Sequence, residues 1–157
     1  MQRKASHEGQ ERKRPAIGKV GHGLPSAKCG EAPSAALLQG IAEFNEQLFF
    51  QQHETLEGAW IEETDPIRYL YQGILQVGVA FHHLGRANFR GADNLLRRGI
   101  GYLRPFLPSC MGVDVERLIA DAERAHAELT ALGPARIAEF ERSRLPQVHL
   151  VGEAAHD

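Results

Sequence analysis

Helix start signals, each followed by apolar residues at helical spacing, most constrain what this chain can fold into. Ser34, Asn88 and Asp114 are residue types that cap helix N termini. Asp65 is followed by Pro66, which places a capping side chain ahead of a proline at a first helical position. No stretch alternates apolar and polar residues as a strand does. The sequence therefore predicts an all-α fold, a compact antiparallel bundle of about five helices.

The predicted helices follow one another with short connections. They run over about residues 34–45, 47–63, 66–84, 88–104 and 114–132, and a short sixth helix is compatible with residues 137–142. The third helix is apolar on most of its circumference, so we expect it to be the central helix of the bundle.

The composition predicts one domain with two tails. The chain has 157 residues, enough for one ordinary domain. Residues 1–33 carry seven Lys or Arg and three Glu with few large apolar side chains, which predicts a disordered basic tail. Residues 34–144 form the predicted helical domain, and residues 145–157 lack helical periodicity and are predicted to be a loose tail. Short basic arms are usually solvated, so a nucleic-acid partner is not expected.

The cysteines and the apolar segments indicate a compartment. Cys29 and Cys110 lie in the predicted tail and in a loop, without the spacing of a metal site, so we expect free thiols in a reducing compartment. No apolar run approaches the roughly 20 residues that span a bilayer. No apolar segment follows the basic residues as in a secretory signal. These features predict a cytoplasmic protein without membrane contact.

Polar side chains are concentrated on the predicted second and third helices. His53 and Glu57 are four residues apart and share a helix face, close to Trp60, the only tryptophan. Gln72 and Gln76 share a face of the central helix, and an unpaired buried amide costs about 1 to 3 kcal/mol. The predicted polar cluster or ligand site comprises Asn45, His53, Glu54, Glu57, Trp60, Gln72, Gln76, His83 and Asn88.

Three interpretations of this cluster remain open. The side chains could form an internal network, in which the glutamates accept hydrogen bonds from histidine and glutamine across the helix interface. They could hold a divalent metal ion, for which the candidate ligands are His53, Glu57, His82 and His83. They could also line a cleft for an organic ligand or a partner segment, to which Trp60 supplies flat apolar area.

These interpretations give two functional hypotheses. The favoured one is a ligand-binding or partner-binding module, and the sequence leaves a homo-oligomer open. The alternative is a metal-dependent hydrolase-like enzyme that uses His53, Glu57 and a histidine of the central helix. The His53-Glu54-x-x-Glu57 pattern lacks the second histidine of the metalloprotease motif, so no catalytic residue is assigned.

Several motifs occur together in one order along the chain. They are Phe44-Asn45, His53-Glu54-x-Leu56-Glu57-x-x-Trp60, Tyr71-Gln72-Gly73-Ile74-Leu75-Gln76, His82-His83 and Asn88-x-x-Gly91-Ala92. Over roughly residues 37 to 105, this order resembles the domain-of-unknown-function family numbered 309. The resemblance implies a small helical domain whose signature positions are the cluster residues of these motifs together with Gly91. It implies no activity, but a polar and aromatic signature favours a cleft for a ligand or a metal.

Three further residues carry expectations that bear on packing. Gly99 and Gly101 lie inside the predicted fourth helix, where each should weaken the helix by about 1 kcal/mol relative to alanine. His126 lies on the predicted fifth helix without a recognisable partner, so we expect it at the surface.

Overall fold

The computed structural model describes residues 26–152, and within them the all-α prediction is confirmed. Five α-helices follow one another: α1 (Ala35–Asn45), α2 (Phe49–Glu62), α3 (Arg68–Gly85), α4 (Phe89–Leu103) and α5 (Val115–Arg136). One short antiparallel pair, β1 (Ser109–Cys110) and β2 (Val113–Asp114), connects α4 to α5.

The helix starts follow the local capping signals. Ser34 and Asp114 cap α1 and α5, because each side-chain oxygen accepts a hydrogen bond from the backbone N–H three residues later, at 3.2 and 3.0 Å. Asp65 accepts from the backbone N–H of Ile67 at 2.8 Å. The helix α3 begins at Arg68, later than predicted, because the two residues before it form a turn.

The predicted stop of the fifth helix is visible as a break inside α5. Gly133 has a φ of 73°, in the left-handed region that favours glycine, and Pro134 follows it. After α5 the chain forms two 3-10 turns, Ile137–Glu139 and Arg142–Arg144, in place of the short sixth helix that the sequence allows. Proline and left-handed glycine together end the regular helix, so the chain can turn back toward α1.

The central position of α3 is confirmed by its burial. It packs between α2 and α4, and Leu70, Ile74 and Phe81 are fully buried. The ring of Phe81 meets the rings of Phe44 and Phe49 edge to face, with centroids 6.1 and 5.9 Å apart. Between residues 26 and 152, neither α3 nor any other helix combines the length and apolar composition needed to cross a membrane.

The helices α3 and α4 approach each other most closely through glycines. A Cβ added at Gly99 would lie 3.0 Å from the backbone nitrogen of Val77 and 3.1 Å from the backbone oxygen of Gly73. Gly101 is two residues later, about 200° around the helix, and a Cβ added there would have no neighbour within 4 Å. The two glycines have the same expected cost in helix propensity, but they differ in packing. Of the two, only Gly99 allows α3 and α4 to come this close.

Cys29 and Cys110 form a disulfide bond, so the prediction of free thiols is wrong. The bond joins the 3-10 turn Ala27–Gly30 to β1 across a sequence separation of 81 residues. The backbone N–H of Met111 also donates to the carbonyl oxygen of Cys29 at 2.7 Å. Neither cysteine lies in a periodic segment, and only the fold of the intervening helices brings them together.

Residues 26–33, which the sequence assigned to the basic tail, contact the helical domain. Ser26 donates its hydroxyl hydrogen to Asp65. The ammonium group of Lys28 lies 3.0 Å from both carboxylate oxygens of Glu63. Residues 1–25 lie outside the described part of the chain, where the disordered tail stays a prediction.

The segment after residue 144 also lies on the domain as far as the structure describes it. The side-chain amide of Asn45 accepts from the backbone N–H of Val148 at 2.7 Å and donates to its carbonyl oxygen at 3.0 Å. An isolated bridge pairs Leu150 with Val113. Leu145 and Val148 are buried. Long-range backbone pairing, which has no signature in the sequence of this segment, holds it in place.

Candidate functional site

Residues at the two ends of α2 fix how this helix packs against α3. Near the start of α2, the ring centroids of Phe49 and Phe81 are 5.9 Å apart. Near its end, the guanidinium group of Arg68 lies 4.2 Å from the ring centroid of Trp60 and donates to its carbonyl oxygen at 3.2 Å. The helices α2 and α3 therefore run antiparallel in a single register.

Three predicted site residues share one face of α3. At 100° per residue, Gln72, Gln76 and His83 point away from the buried Ile74 and Phe81. Their face lies between the edge of α3 that contacts α2 and the edge that contacts α4. Gln72 and Gln76 retain 8% and 9% of their surface exposed, so they are nearly covered by the two flanking helices.

On the α2 side, His53 and Glu57 contact each other as their spacing predicts. The Nε2 atom of His53 lies 3.4 Å from Oε1 of Glu57, and the two side chains are 35% and 24% exposed. The register of the two helices places His53 level with Gln76, and Glu57 level with Gln72. An imidazole and a carboxylate therefore lie along the edge of the glutamine-bearing face of α3.

On the α4 side, the boundary of this face is apolar and aromatic. The rings of Tyr69 and Tyr102 stack with centroids 6.0 Å apart and planes 8° apart. Leu95 and Tyr102 recur at helical spacing and are partly buried, so they lie on one side of α4. We name as the polar face the following set of residues, of which Trp60, Gln72 and Gln76 are buried and the others are partly exposed: His53, Glu57, Trp60, Gln72, Gln76, His83, Leu95 and Tyr102.

Two buried carboxamide oxygens of α2 and α3 accept no hydrogen bond from any residue that the structure describes. They belong to Gln52 and Gln76. Gln52 is fully buried inside the α2–α3 interface, where its nitrogen donates to the carbonyl oxygen of Leu75 at 3.2 Å. Gln76 lies on the polar face. The predicted internal network does not satisfy its oxygen, so a donor brought by a ligand would be stabilising there.

Asn88 connects the end of α3 to the start of α4. Its side-chain oxygen accepts from the backbone N–H of Gly91 at 3.0 Å and caps α4. Its side-chain nitrogen lies 3.2 Å from Nδ1 of His83. A Cβ added at Gly91 would lie 3.0 Å from the His83 ring. These three predicted positions are therefore explained by the geometry of one helix connection.

Two predicted site residues lie away from the polar face. Asn45 bonds to the backbone of Val148, as described above, and thus holds the C-terminal segment. Glu54 is exposed on α2. Glu54 is rotated by about 100° from His53 and by about 60° from Glu57, toward solvent.

The four candidate metal ligands form two separate pairs. His53 contacts Glu57, and the rings of His82 and His83 have centroids 5.8 Å apart. The histidine pair lies about two turns of α3 beyond the level of His53, which corresponds to roughly 10 Å along the helix. Among residues 26–152, no three His, Cys, Asp or Glu side chains are grouped so that they could hold a metal ion.

One family model matches the segment of the chain that contains this site. The model of the family described as Domain of unknown function (DUF309) matches residues 37–95. We call residues 37–95 the DUF309 segment. The match includes every polar-face residue except Tyr102 and ends inside α4. The comparison with curated proteins gives no significant match.

Two further residues inside the DUF309 segment shape the site, and neither is among those predicted from the sequence. Arg68 covers the ring of Trp60, and no spacing rule links residues on different helices. Gln52 occupies a buried position, and a Cβ added at Gly78 would clash with its carboxamide. Gln52 could have been recognised from its position, because it lies four residues before Leu56 and therefore on the same apolar stripe of the helix.

His126, expected at the surface, instead joins α5 to the DUF309 segment. Its Nε2 atom lies 2.7 Å from a carboxylate oxygen of Asp93, and both side chains are about one quarter exposed. Hydrogen bonds from Arg97 and then from His126 lower the pKa of Asp93. The expectation is wrong because the partner of His126 lies on α4, 33 residues earlier in the chain.

The stability of the fold should decrease in mild acid because of His83. Burial lowers the pKa of His83 below its usual value of 6.5, and the positive charges of His82 and Arg86 lower it further. Between the folded and unfolded pKa values the unfolded chain binds more protons, so stability rises with pH. We expect the free energy of unfolding, measured with urea, to decrease as the pH falls below about 6.5. This decrease should be smaller in His83→Gln. Equal losses in both proteins would contradict this.

Proposed function

We propose that this chain is a non-enzymatic binding module whose polar face binds a positively charged, hydrogen-bond-donating segment of a polypeptide. The observation that supports it most is the side-chain oxygen of Gln76. This oxygen is buried and lacks a donor among the described residues, and the register places it level with His53 at the edge shared with Glu57. A bound donor would remove the cost of burying an unpaired acceptor.

The charge of α2 and its flanks favours a cationic ligand. Residues 46–65 contain six Asp or Glu and no Lys or Arg. Glu57 is partly buried at the edge of the polar face, and Glu54 and Glu62 are exposed on the same helix. A carboxylate that is partly removed from water attracts a cation more strongly than a fully exposed one. The edge formed by α2 therefore selects for Lys or Arg side chains.

The aromatic residues favour an extended or helical segment over a free cation. Trp60 is buried and Arg68 stacks on its ring, so the aromatic area that a ligand can contact directly lies on the α4 side. On that side, Tyr102 and the partly buried Leu95 supply apolar area along α4. A segment that carries a basic residue toward α2 and an apolar residue toward α4 would contact both boundaries at once.

Such a segment has two sources, a partner protein and the chain itself. Residues 1–25 contain six Lys or Arg and two Glu, and they lie outside the described residues. The described chain begins at Ser26, which bonds to Asp65 in the connection between α2 and α3. This connection is close to the Trp60 end of the polar face, so binding within one chain needs no long linker.

The emission of Trp60, the only tryptophan, offers a direct readout of binding. We expect an oligoarginine peptide to change this emission, and we expect its affinity to fall about tenfold in Glu57→Gln, which corresponds to about 1.4 kcal/mol. Glu116→Gln is the matched control, because Glu116 is an exposed carboxylate on α5. It should leave the affinity unchanged.

The same titration distinguishes the two sources and can reject the proposal. In a variant that lacks residues 1–25, tighter peptide binding would identify the chain's own segment as a competitor. Unchanged binding would favour a partner protein. If Glu57→Gln and Glu116→Gln weaken binding equally, the peptide is attracted by overall charge and the polar face is not its site.

The cytoplasmic location expected from the sequence stays a prediction. The disulfide bond between Cys29 and Cys110 weighs against it, since disulfides persist in oxidising compartments and are rare in the cytosol. Alkylation of thiols in intact cells would test it. Two reactive cysteines would favour the cytoplasm, and two blocked cysteines would favour an oxidising compartment.

A further inference from the structure

A cavity of about 520 Å³ lies apart from the polar face and shares no residue with it. It is bounded by α5, by the connection between α1 and α2, and by residues 143–149 of the C-terminal segment. Its volume is in the range of about 300 to 1,000 Å³ that small-molecule sites occupy. Most of its boundary lies outside residues 37–95, so the DUF309 match does not account for it.

The charged residues around this cavity are mainly arginines. Arg117, Arg124 and Arg144 line it together with Asp121, and Glu128 lies beside it on Arg144, so the three guanidinium groups exceed the two carboxylates by one formal positive charge. The chain as a whole has a net charge of −2. A concave site with positive walls on an acidic protein concentrates the local field and attracts anions.

Neighbouring carboxylates orient two of the guanidinium groups. Arg124 donates to Asp121, and the Nε atom of Arg144 lies 3.2 Å from a carboxylate oxygen of Glu128. Each guanidinium group has five N–H donors, so one ion pair leaves further donors for a ligand. The two arginine side chains are 63% and 58% exposed, which leaves these donors accessible.

The opposite wall is fixed by hydrogen bonds to the backbone. Asn45 exchanges two hydrogen bonds with Val148, and the side-chain nitrogen of Gln47 donates to the carbonyl oxygen of Arg142 at 3.2 Å. The backbone N–H of Asp114 donates to the carbonyl oxygen of His149 at 2.9 Å. A wall that is already ordered loses little conformational entropy when a ligand binds.

We propose that this cavity binds a small multivalent anion, a phosphate ester or a polycarboxylate, through Arg124 and Arg144. The planar guanidinium group can donate two parallel hydrogen bonds to the oxygens of one phosphate or carboxylate group. The ammonium group of a lysine cannot match these oxygens in the same way. Polar side chains at the rim, among them Ser143 and Gln147, supply further hydrogen bonds to such a ligand. This site is independent of the polar face.

Thermal unfolding with pyrophosphate and with citrate, each at matched ionic strength, tests the proposal. We expect one of the two probes to raise the Tm of the wild-type protein by several degrees, and we expect the double variant Arg124→Gln/Arg144→Gln to lose this shift. Arg136→Gln should keep it, because Arg136 is an exposed arginine of α5 that pairs with Glu139 away from the cavity. The probe that acts identifies the ligand class.

Two outcomes would overturn the proposal. One is no shift with either probe, and the other is an equal shift in the wild type and in the folded double variant, which would indicate a general salt effect. If circular dichroism shows that the double variant does not fold, Arg124→Lys replaces it. Calorimetric titration should then give an affinity at least fivefold weaker, and an unchanged affinity would reject the guanidinium contact.

Discussion

Replacing Gly99 by alanine should lower the free energy of unfolding by about 3 kcal/mol, the upper part of the range for overpacking a well-packed contact. The added Cβ would lie 3.0 Å from the backbone nitrogen of Val77 and 3.1 Å from the backbone oxygen of Gly73. Backbone atoms cannot rotate away as a side chain does, so α3 and α4 would have to separate. The gain in helix propensity, about 1 kcal/mol, is smaller than this cost.

Gly101→Ala is the matched control in the same helix. Its Cβ would have no neighbour within 4 Å, so only the propensity gain remains and stability should rise by up to about 1 kcal/mol. Urea unfolding followed by circular dichroism measures both variants. Equal changes of the same sign in Gly99→Ala and Gly101→Ala would mean that the α3–α4 contact is looser than described.

Removing the disulfide bond is the second change with a large expected effect. The variant Cys29→Ser/Cys110→Ser should lose about 2 to 4 kcal/mol of stability, because the bond closes a loop with a sequence separation of 81 residues in the unfolded chain. At this size the loss corresponds to a fall in Tm of roughly 10 °C. The affected part of the fold joins the turn Ala27–Gly30 to β1.

Reductant provides the control for the disulfide prediction. The wild-type protein in reductant should unfold at the same temperature as the double variant, and reductant should not change the variant. If reductant leaves the wild-type Tm unchanged, the bond contributes no stability and the account of residues 26–33 fails.

The helices could be predicted because their signals are local. Ser34 and Asp114 cap helices through bonds to residues three positions away, and the break at Gly133 needs only its own backbone conformation. The disulfide bond and the packing of the C-terminal segment after residue 144 could not be predicted in this way. Cys29 meets Cys110, and Asn45 meets Val148, only after five helices have packed.

The candidate site divides in the same way. The contact between His53 and Glu57 followed from their spacing on one helix. The stacking of Arg68 on Trp60 depends on how separate segments pack, and so does the grouping of arginines around the cavity beside α5. Periodicity specifies neither. Glu54 shows the converse limit, since closeness in sequence to His53 does not place it on the same edge.

The affinity of Gln76→Leu for an oligoarginine peptide, followed by Trp60 emission, tests most directly whether the polar face serves binding. Because the Gln76 oxygen has no donor within residues 26–152, leucine should keep or raise the Tm. We expect this folded variant to bind about tenfold more weakly than the wild type, a difference of about 1.4 kcal/mol. An unchanged affinity together with a lower Tm would contradict it, because Gln76 would then belong to an internal network that serves the fold alone.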